Sequence, residues 1–331
     1  MARSRWKKRL DRGAFLLALP LLAASGAWLA APLGWRIDLV ANLAAQTALV
    51  TIVGAGVFGA LRAWSATGVT LLALGLHAAA LAPGRAPRAG PAASPNVRVL
   101  VYNAFNANAD PGRAIDSVLA ANADLVVLVE TPPAMVQASW EGGRLRAAYP
   151  YTIHRGWKPG LANDHQALLS RWPLTRTDGR PLGAEVTTVI SATAESPFGT
   201  IGVVAVHPAS PRNAERWRRG LEESRLAAEA ARAFAARGLP VIVPGDLNST
   251  PSGLFSRRLR SGGGLRRAKP WGVAQGTFPV GQPWPGRIAI DDVMVSAGVS
   301  VASWRTLDPA GSDHTPVLVE LVVAPRSSPG G

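Results

Sequence analysis

The sequence predicts an α/β domain that follows a short bundle of membrane-spanning helices. Apolar stretches occupy most of residues 13–83, directly after a basic segment at 1–12. From Val97 onward, short β-rich runs alternate with turn residues and a few helical segments. The mean hydropathy of +0.13, with 17% charged residues, is too apolar for a purely soluble chain of 331 residues. Cysteine is absent, which excludes disulfides, zinc–thiolate sites and cysteine nucleophiles.

The net charge of +14 is unevenly distributed along the chain. Residues 1–96 hold a net charge of +8, and six of their cations fall within the first twelve residues. Residues 97–324 hold a net charge of only +5. Nucleic-acid binding needs a basic surface on the binding domain, so this distribution favours a membrane protein over a nucleic-acid binder.

Three uncharged apolar stretches lie at 13–33, 39–61 and 67–83, with 21, 23 and 17 residues. About 20 apolar residues cross a bilayer as a helix, so we predict a cytoplasmic N-terminus at 1–12 and three transmembrane helices within 13–83. The first stretch also resembles a cleaved signal peptide, but the two stretches behind it favour retention in the membrane. Three crossings place the rest of the chain outside the cell, whereas two would place it inside.

A proline-rich segment at 84–96 is predicted to be a semi-extended linker, because proline fixes φ and removes backbone donors. Residues 97–323 are predicted to form one α/β domain, and 324–331 a disordered tail. Helices are expected at 111–123 and 212–237. Strands are expected in VRVLVYNAF, ADLVVLVE, QALLS, TIGVVAVH, LPVIVPGD, IAIDDVMVS and TPVLVELVV.

Polar residues of a few types recur where these strands end or begin. They are Asn103, Glu130, His207, Asp246, Asn248, Asp291, Asp313 and His314. One such residue is commonly only a turn or helix cap, but the pattern recurs in six segments, and open α/β sheets gather their sites at strand ends. Carboxylates and amides suit Mg²⁺ or Mn²⁺, and histidines transfer protons near neutral pH. The pattern therefore predicts metal-assisted attack on a phosphate.

The same segments resemble the endonuclease/exonuclease/phosphatase superfamily. They are YN at 102–103, DLVVLVE at 124–130, LSRWPL at 169–174, HP at 207–208, GDLNSTP at 245–251, IDD at 290–292 and GSDHTPV at 311–317. That superfamily includes abasic-site nucleases, DNase I-like nucleases, neutral sphingomyelinases and inositol polyphosphate 5-phosphatases. The resemblance spans 97–323. It implies a four-layer α/β sandwich in which two packed mixed β-sheets are flanked by helices.

The resemblance also implies a role for each matching residue. Glu130, with Asn103 and Asp313 beside it, would hold Mg²⁺ or Mn²⁺. His314 would act as the base-like histidine, with Asp291 as its carboxylate partner. The remaining catalytic residues would be Asp246 and Asn248, which orient the attacking water, and His207, which donates to a phosphate oxygen. Arg212 and Arg216 follow His207 closely in sequence and are candidates for gripping the phosphate.

The chain departs from the family pattern at several positions. Val129 replaces the glutamine that usually precedes the family glutamate, and Phe105 replaces an acidic residue, which puts a second metal site in doubt. Asp292 is expected to solvate the surface, although substrate or metal binding is an alternative. His165 is expected to be a partly exposed turn residue, although a site role is an alternative.

The substrate is predicted from the layout of the chain. Three N-terminal spans, a proline-rich linker and this domain are similar to actinobacterial membrane proteins associated with teicoplanin and vancomycin resistance. That resemblance implies a phosphohydrolase that cleaves a lipid-linked or isoprenoid phosphate or pyrophosphate of the cell envelope. One alternative is an anchored extracellular nuclease, with Trp157, Lys158, Arg257 and Arg258 lining a strand-binding groove. Another is a non-catalytic binding module. No protein partner is indicated.

Overall fold

The computed structural model describes residues 2–82, 84–155, 165–177, 189–270 and 275–324. Trp157, Lys158 and, apart from Ala324, the predicted tail lie outside the described residues. The chain forms two compact units. One comprises Met1–Pro83 together with Pro211–Ala214 and Ser249–Leu254, and the other comprises the remaining residues.

The first unit is built mainly from helices. They are α1 (Ala2–Ala30), α2 (Trp35–Asn42), α3 (Ala44–Ala60) and α4 (Trp64–Leu81), with a 3₁₀ turn at Ala31–Leu33. Trp6–Leu33 and Trp64–Leu81 are each long and apolar enough to cross a membrane. The second predicted span is broken, because α2 and α3 meet at an angle of 64° and pass the same test only as a pair. The unit therefore has two candidate spans, or three if the bent pair counts as one.

The helices of this unit pack through small residues and expose large apolar ones. Ala14, Ala18, Ala63 and Ala66 form a buried apolar cluster, and small side chains let helix backbones approach closely in membranes. Outward-facing side chains that are more than half exposed include Leu17, Val53 and Leu72. Such a distribution is typical of helices surrounded by lipid, where the apolar face points outward.

The second unit contains twelve strands among its described residues. The strands are β1 (Val97–Asn103), β2 (Leu125–Val129), β3 (Tyr151–Arg155), β4 (Gln166–Ser170), β5 (Leu174–Arg176), β6 (Val189–Ser196), β7 (Gly199–Val206), β8 (Val241–Asp246), β9 (Arg266–Arg267), β10 (Asp291–Val295), β11 (Val299–Thr306) and β12 (Val317–Val323). They form two six-stranded sheets with the orders β11-β12-β1-β2-β4-β3 and β5-β6-β7-β8-β10-β9. Both sheets are mixed, because β1 runs parallel to β2, and β7 to β8, among otherwise antiparallel pairs.

Strand β1 shows why these runs are apolar on both faces. Val97, Val99 and Val101 belong to the core between the two sheets. Leu100 and Tyr102, on the opposite face, belong to a second core beneath the helices of the first sheet. Alternate side chains of a strand point to opposite faces, so a strand buried on both sides needs an apolar residue at nearly every position.

Helices cover the outer faces of both sheets. The helices are α5 (Pro111–Ala121), α6 (Pro133–Ala138), α7 (Arg144–Ala148), α8 (Ala214–Ala236) and α9 (Leu254–Gly263). Residues of α5, α6 and α7 pack on the first sheet, and residues of α8 and α9 pack on the second. The predicted four-layer α/β sandwich of two mixed sheets is confirmed.

The proline-rich segment that precedes β1 is extended, and it is hydrogen-bonded to the sheets. Ala86 N–H donates to the Arg267 carbonyl in β9, and Arg267 N–H donates to the Gly84 carbonyl. Ala89 and Pro87 exchange equivalent bonds with Val301 in β11. These residues therefore belong to the same compact unit as the α/β sandwich, and a role of 84–96 as a linker stays a prediction. The backbone N–H and carbonyl groups of this segment form hydrogen bonds with the edge strands β9 and β11.

Candidate active site

The polar residues predicted from the strand ends meet at one end of the sandwich. Asn103 ends β1, and Glu130 directly follows the parallel neighbour β2. Asp246 ends β8 and pairs in register with Asp291, which begins the antiparallel strand β10. Parallel strands end at the same edge, and the β8–β10 register places the two aspartates opposite each other. The topology therefore brings residues 188 positions apart, from Asn103 to Asp291, into one cluster.

The Asn103 side chain lies at the centre of this cluster. Its Nδ2 donates to Glu130 Oε1 at 3.1 Å and to Asp246 Oδ2 at 3.0 Å. The same atom lies 3.4 Å from His314 Nε2. Asn103 Oδ1 accepts from the backbone N–H of Phe105, which fixes the orientation of the amide. An amide held in this way orients the two carboxylates relative to each other.

Two overlapping groups of side chains could each hold a metal ion. They are Glu130, His207 and Asp246, and Asp246, Asp291 and His314, each with ligand atoms within 4.8 Å of one another. In the first group His207 Nε2 lies 3.5 Å from Glu130 Oε1 and 3.7 Å from Asp246 Oδ2. Carboxylate and imidazole donors at such separations suit a divalent cation.

Two orphaned carboxylate oxygens provide a test of whether a cation fits here. Asp291 Oδ1 and Asp313 Oδ1 are buried and have no hydrogen-bond partner among the described residues. A buried carboxylate oxygen without a partner is costly unless a cation is nearby. The donor set therefore fits a metal ion. Asp313, which the sequence predicted as a ligand beside Glu130, is not a member of either three-residue group.

His314 and Asp291 form a hydrogen-bonded pair at the edge of the cluster. His314 Nδ1 lies 2.8 Å from Asp291 Oδ2, and the His314 ring packs against the Phe278 ring with centroids 4.6 Å apart. Burial alone lowers the pKa of His314, but the charges of Asp291, Asp246 and Asp313 and the hydrogen bond to Asp291 raise it to about 10. In the protein without a bound cation, His314 is therefore an imidazolium at neutral pH.

Glu130 and Asp246 are carboxylates with opposite pKa shifts. Burial raises the pKa of Glu130, but the hydrogen bond and charge of His207, together with the Asn103 amide, lower it to about 2. Burial and the neighbouring charge of Asp291 raise the pKa of Asp246, and the charges of His314 and His207 oppose that increase. Glu130 is thus the more strongly ionised group, and Asp246 the more basic one.

Asn248 lies beside Asp246 in a strained backbone conformation. Its backbone N–H donates to Asp246 Oδ1 at 2.8 Å, and its amide Nδ2 donates to the Pro208 carbonyl at 3.0 Å. The latter bond connects the turn after β8 to the residue that follows His207. Asn248 has φ of 44° and Glu130 has φ of 48°. This left-handed region is costly for residues other than glycine and is enriched at functional sites.

The two arginines proposed from the sequence lie near His207 in the chain. Arg212 is exposed. Arg216, in the first turn of α8, donates from Nε to the Ser210 carbonyl at 3.2 Å. A role for either arginine in gripping phosphate stays a prediction.

The structure differs from expectation at Asp292 and His165. Asp292 is fully buried, where surface solvation was expected. It accepts from Arg267 Nε at 2.6 Å and from Trp304 Nε1 at 2.9 Å, so an internal counterion explains its burial. His165 is also buried, and its Nε2 lies 3.2 Å from His154 Nδ1. Burial lowers the pKa of His165 to about 3, so this pair is neutral.

Three neighbours of the site were not identified from the sequence. Glu223, fully buried in α8, accepts from the Ala209 N–H at 2.7 Å and so fixes the turn after His207. The sequence feature that could have identified Glu223 is its position, as an acidic residue, on the apolar face of the predicted helix. Gln166 is fully buried and pairs in register with Val129, the residue before Glu130. Phe278, which packs on His314, carried no recognisable signal.

Comparisons with known proteins agree with this geometry. Residues 100–314 match the model of the Endonuclease/Exonuclease/phosphatase family. No curated protein sequence matches the chain. Among solved structures, the human Nocturnin catalytic domain with bound sulfate is similar in fold, with 15% identity and a TM-score of 0.53. The alignment covers 68% of this chain and 94% of the Nocturnin chain.

Two nucleic-acid enzymes are also similar in fold. The 3′ phosphatase NExo from Neisseria, bound to product DNA hairpin, has 16% identity and a TM-score of 0.52, covering 69% of this chain and all of its own. An AP endonuclease from Archaeoglobus fulgidus has 11% identity and a TM-score of 0.52, with coverage of 69% and 100%. At these identities the similarity concerns the fold.

Proposed function

The chain belongs to the Endonuclease/Exonuclease/phosphatase family and is a phosphoester hydrolase, and we propose that it cleaves a lipid-linked or isoprenoid phosphate or pyrophosphate at the outer face of a cell membrane. The observation that carries the proposal is the combination of a carboxylate–histidine cluster with apolar N-terminal helices in one chain. A role in resistance to glycopeptide antibiotics is part of the same proposal, because such antibiotics act on the cell envelope.

The reaction proposed is in-line attack of water on phosphorus: a P–O bond to the water oxygen forms while the opposite P–O bond breaks, and the leaving alcohol or phosphate oxygen takes up a proton from solvent. Asp246 is suited to accept the proton of the attacking water, because burial and the charge of Asp291 raise its pKa. The Asn248 amide lies beside Asp246 and orients the water or a phosphoryl oxygen. His207 and His314 donate to phosphate oxygens and stabilise the negative charge that develops there.

Glu130 is the residue proposed to hold the metal ion, with Asn103 and Asp313 beside it, because Asp313 Oδ1 is buried without a partner among the described residues and the Asn103 amide orients the Glu130 and Asp246 carboxylates. A bound Mg²⁺ or Mn²⁺ would supply Lewis-acid stabilisation of the phosphate oxygens. The role of Asp291 is to orient His314 through the 2.8 Å contact and to favour its protonated form.

The membrane location is proposed from the helices and the charge of the chain. Two or three N-terminal helices are apolar enough to span a bilayer, and the six cations of the first twelve residues favour a cytoplasmic N-terminus. With three spans, the α/β domain lies outside the cytoplasm. The bilayer itself and a phosphorylated lipid are then the expected partners.

An anchored nuclease is the second candidate, and it is favoured by one observation. The Neisseria 3′ phosphatase and the Archaeoglobus AP endonuclease share this fold, and both names refer to nucleic-acid chemistry. Against it stands the small net charge of +5 on residues 97–324, because phosphate-backbone binding requires a strongly basic surface.

A substrate panel separates the two candidates. The full-length protein, purified in detergent, is offered prenyl pyrophosphate, sphingomyelin, phosphoinositide and plasmid DNA, each with Mg²⁺. We expect phosphate release from prenyl pyrophosphate to be at least tenfold faster than cleavage of the other substrates. The Asp246→Asn protein is the control for contaminating phosphatases. Faster nicking of the plasmid than hydrolysis of any lipid would overturn the lipid proposal.

A further inference from the structure

Two polar side chains on α2 make hydrogen bonds to the segment that directly follows Asn248. Asn42 Oδ1 accepts from the backbone N–H of Thr250 at 2.7 Å. Asp38 Oδ1 accepts from the backbone N–H of Leu254 at 2.8 Å. Asp38 and Asn42 are four residues apart and therefore lie on the same face of the helix. Both are buried, with 1% and 7% of their surfaces exposed.

The Asn42 amide is fixed in the orientation that this contact needs. Its Nδ2 donates to the Asp38 carbonyl at 2.9 Å, which directs Oδ1 toward Thr250. A third bond joins the same two segments, because Ser252 Oγ donates to the Ala41 carbonyl at 2.8 Å. Buried polar side chains are costly unless they are paired. The bonds to Thr250 and Leu254 account for the burial of Asn42 and Asp38 in α2.

Gly253 permits the close approach of the two segments. A Cβ at this position would overlap Asn42 Oδ1 and Ser249 Oγ, and it would lie 2.7 Å from Asn42 Cγ. Any larger residue would therefore force the Asn42 or Ser249 side chain to move, which would disturb the bond between Asn42 and Thr250. The short polar stretch Ser249–Leu254 accordingly forms one compact unit with the apolar helices, although it lies far from them in sequence.

Thr250 is two residues from Asn248, so only Ser249 lies between the Thr250 N–H and the catalytic amide. Asn248 has a positive φ of 44°, which asparagine tolerates better than most residues do. Such a conformation persists where the surrounding structure determines it. On one side Asn248 is held by Asp246, and on the other the chain is held by Asn42 and Asp38.

We propose that Asp38 and Asn42 are positioning residues that hold the turn carrying Asn248 in its active conformation. The helix α2 would then hold the segment Ser249–Leu254, which directly follows Asn248 in the chain. The inference rests on the proposed function, because it takes Asn248 to act at the phosphate. Displacement of a positioned group by about 1 Å can cost on the order of 10²-fold in rate.

The test compares four variants of the full-length protein in detergent. Asn42→Leu and Asp38→Leu remove the acceptors, whereas Asp38→Asn keeps an acceptor oxygen at the same place. Thr47→Val is the matched control, because the Thr47 hydroxyl bonds only to carbonyls of its own helix, Leu43 and Ala44, among the described contacts. We expect kcat to fall at least tenfold in the two leucine variants, with the Mg²⁺ concentration for half-activation unchanged. Asp38→Asn and Thr47→Val should match the wild type.

A cross-link tests the geometry directly. The chain has no cysteine, so the double variant Asn42→Cys with Gly253→Cys can form only one intramolecular disulfide. A Cβ at 253 would lie 2.7 Å from Asn42 Cγ, an atom that occupies about the place of Sγ in a cysteine at 42, so a small shift brings the two cysteines within bonding reach. We expect the reduced double variant to have a low kcat, because it lacks the Asn42 acceptor. Oxidation should form the cross-link and raise kcat again. The proposal is wrong if no cross-link forms, or if the leucine variants keep the wild-type kcat. An inactive wild type would instead overturn the proposed function and this assignment with it.

Discussion

Asp291 and Asp292 are adjacent residues of β10, but their side chains contact different partners and therefore have different roles. Asp291 contacts His314 in the cluster, whereas Asp292 pairs with Arg267 and Trp304 away from it. Successive side chains of a strand point to opposite faces, so the strand itself separates the two tasks. The family resemblance identified Asp291 from the sequence. The burial of Asp292 could not be predicted, because its counterion Arg267 lies 25 residues earlier in the chain.

The residue-level account predicts that the cluster acts as one unit. Asp246→Asn and His314→Ala should each lower kcat by about 10²–10⁴, because each removes a positioned proton-transfer or charge-stabilising group. The double variant should be little slower than the slower single variant, since groups that act together are not additive. Thermal unfolding should change little in Asp246→Asn, because closely spaced carboxylates repel one another in the folded state. His314→Ala should unfold at a lower temperature, because it removes the cation that pairs with the buried Asp291 carboxylate.

Asp292→Asn is the matched control for these variants. It leaves the Arg267 guanidinium without its carboxylate partner, and breaking a buried ion pair costs about 3–5 kcal/mol of folding free energy. Its stability should therefore fall while the kcat of the folded fraction is kept. The account of the cluster is wrong if Asp292→Asn abolishes kcat while His314→Ala leaves it near normal.

At the scale of elements, local pattern predicted the strands that are apolar on both faces. The run that ends at Asn103 forms β1, the run before Glu130 forms β2, and the run that ends at Asp246 forms β8. Strands β3, β5, β6, β9 and β11 were not predicted. In β3 and β11, exposed or half-buried polar residues interrupt the apolar pattern, as Thr152 and Ser303 do. The hydrogen bonds of 84–89 to β9 and β11 were also not predictable, since edge pairing depends on tertiary contacts.

The apolar helices lead to a prediction about topology. If α2 and α3 together make one span, the chain crosses the membrane three times, and Asn96 lies outside the cytoplasm. An alkaline phosphatase reporter fused after Asn96 should then be active in a bacterial host, because that enzyme folds only in an oxidising compartment. A green fluorescent protein fused at the same point should be dark in the same host. Bright fluorescence with an inactive phosphatase would show that only two spans cross.

At the scale of the whole molecule, the sandwich brings residues from 103 to 314 into one site. The net positive charge of the chain is distributed unevenly between the N-terminal segment and the α/β domain. The basic residues concentrate near the N-terminus, where they favour a cytoplasmic location, while the α/β domain carries little net charge. The order of strand-end motifs predicted this site from sequence, because strand ends in α/β sheets converge. The contacts of Asn42 and Asp38 with 249–254 could not be predicted, because no local pattern links positions more than 200 residues apart.

The most direct test of the central claim is a metal titration of the hydrolysis rate, run in parallel on the wild type and on Glu130→Gln. The wild type should be inactive in EDTA and should recover with saturating Mg²⁺ or Mn²⁺. Glu130→Gln removes the most strongly ionised carboxylate of the cluster, so it should require at least tenfold more metal or remain inactive, while the protein stays folded under the assay conditions. Full activity of the wild type in EDTA, or an identical metal dependence of the two proteins, would contradict a metal-dependent hydrolase centred on Glu130, His207 and Asp246.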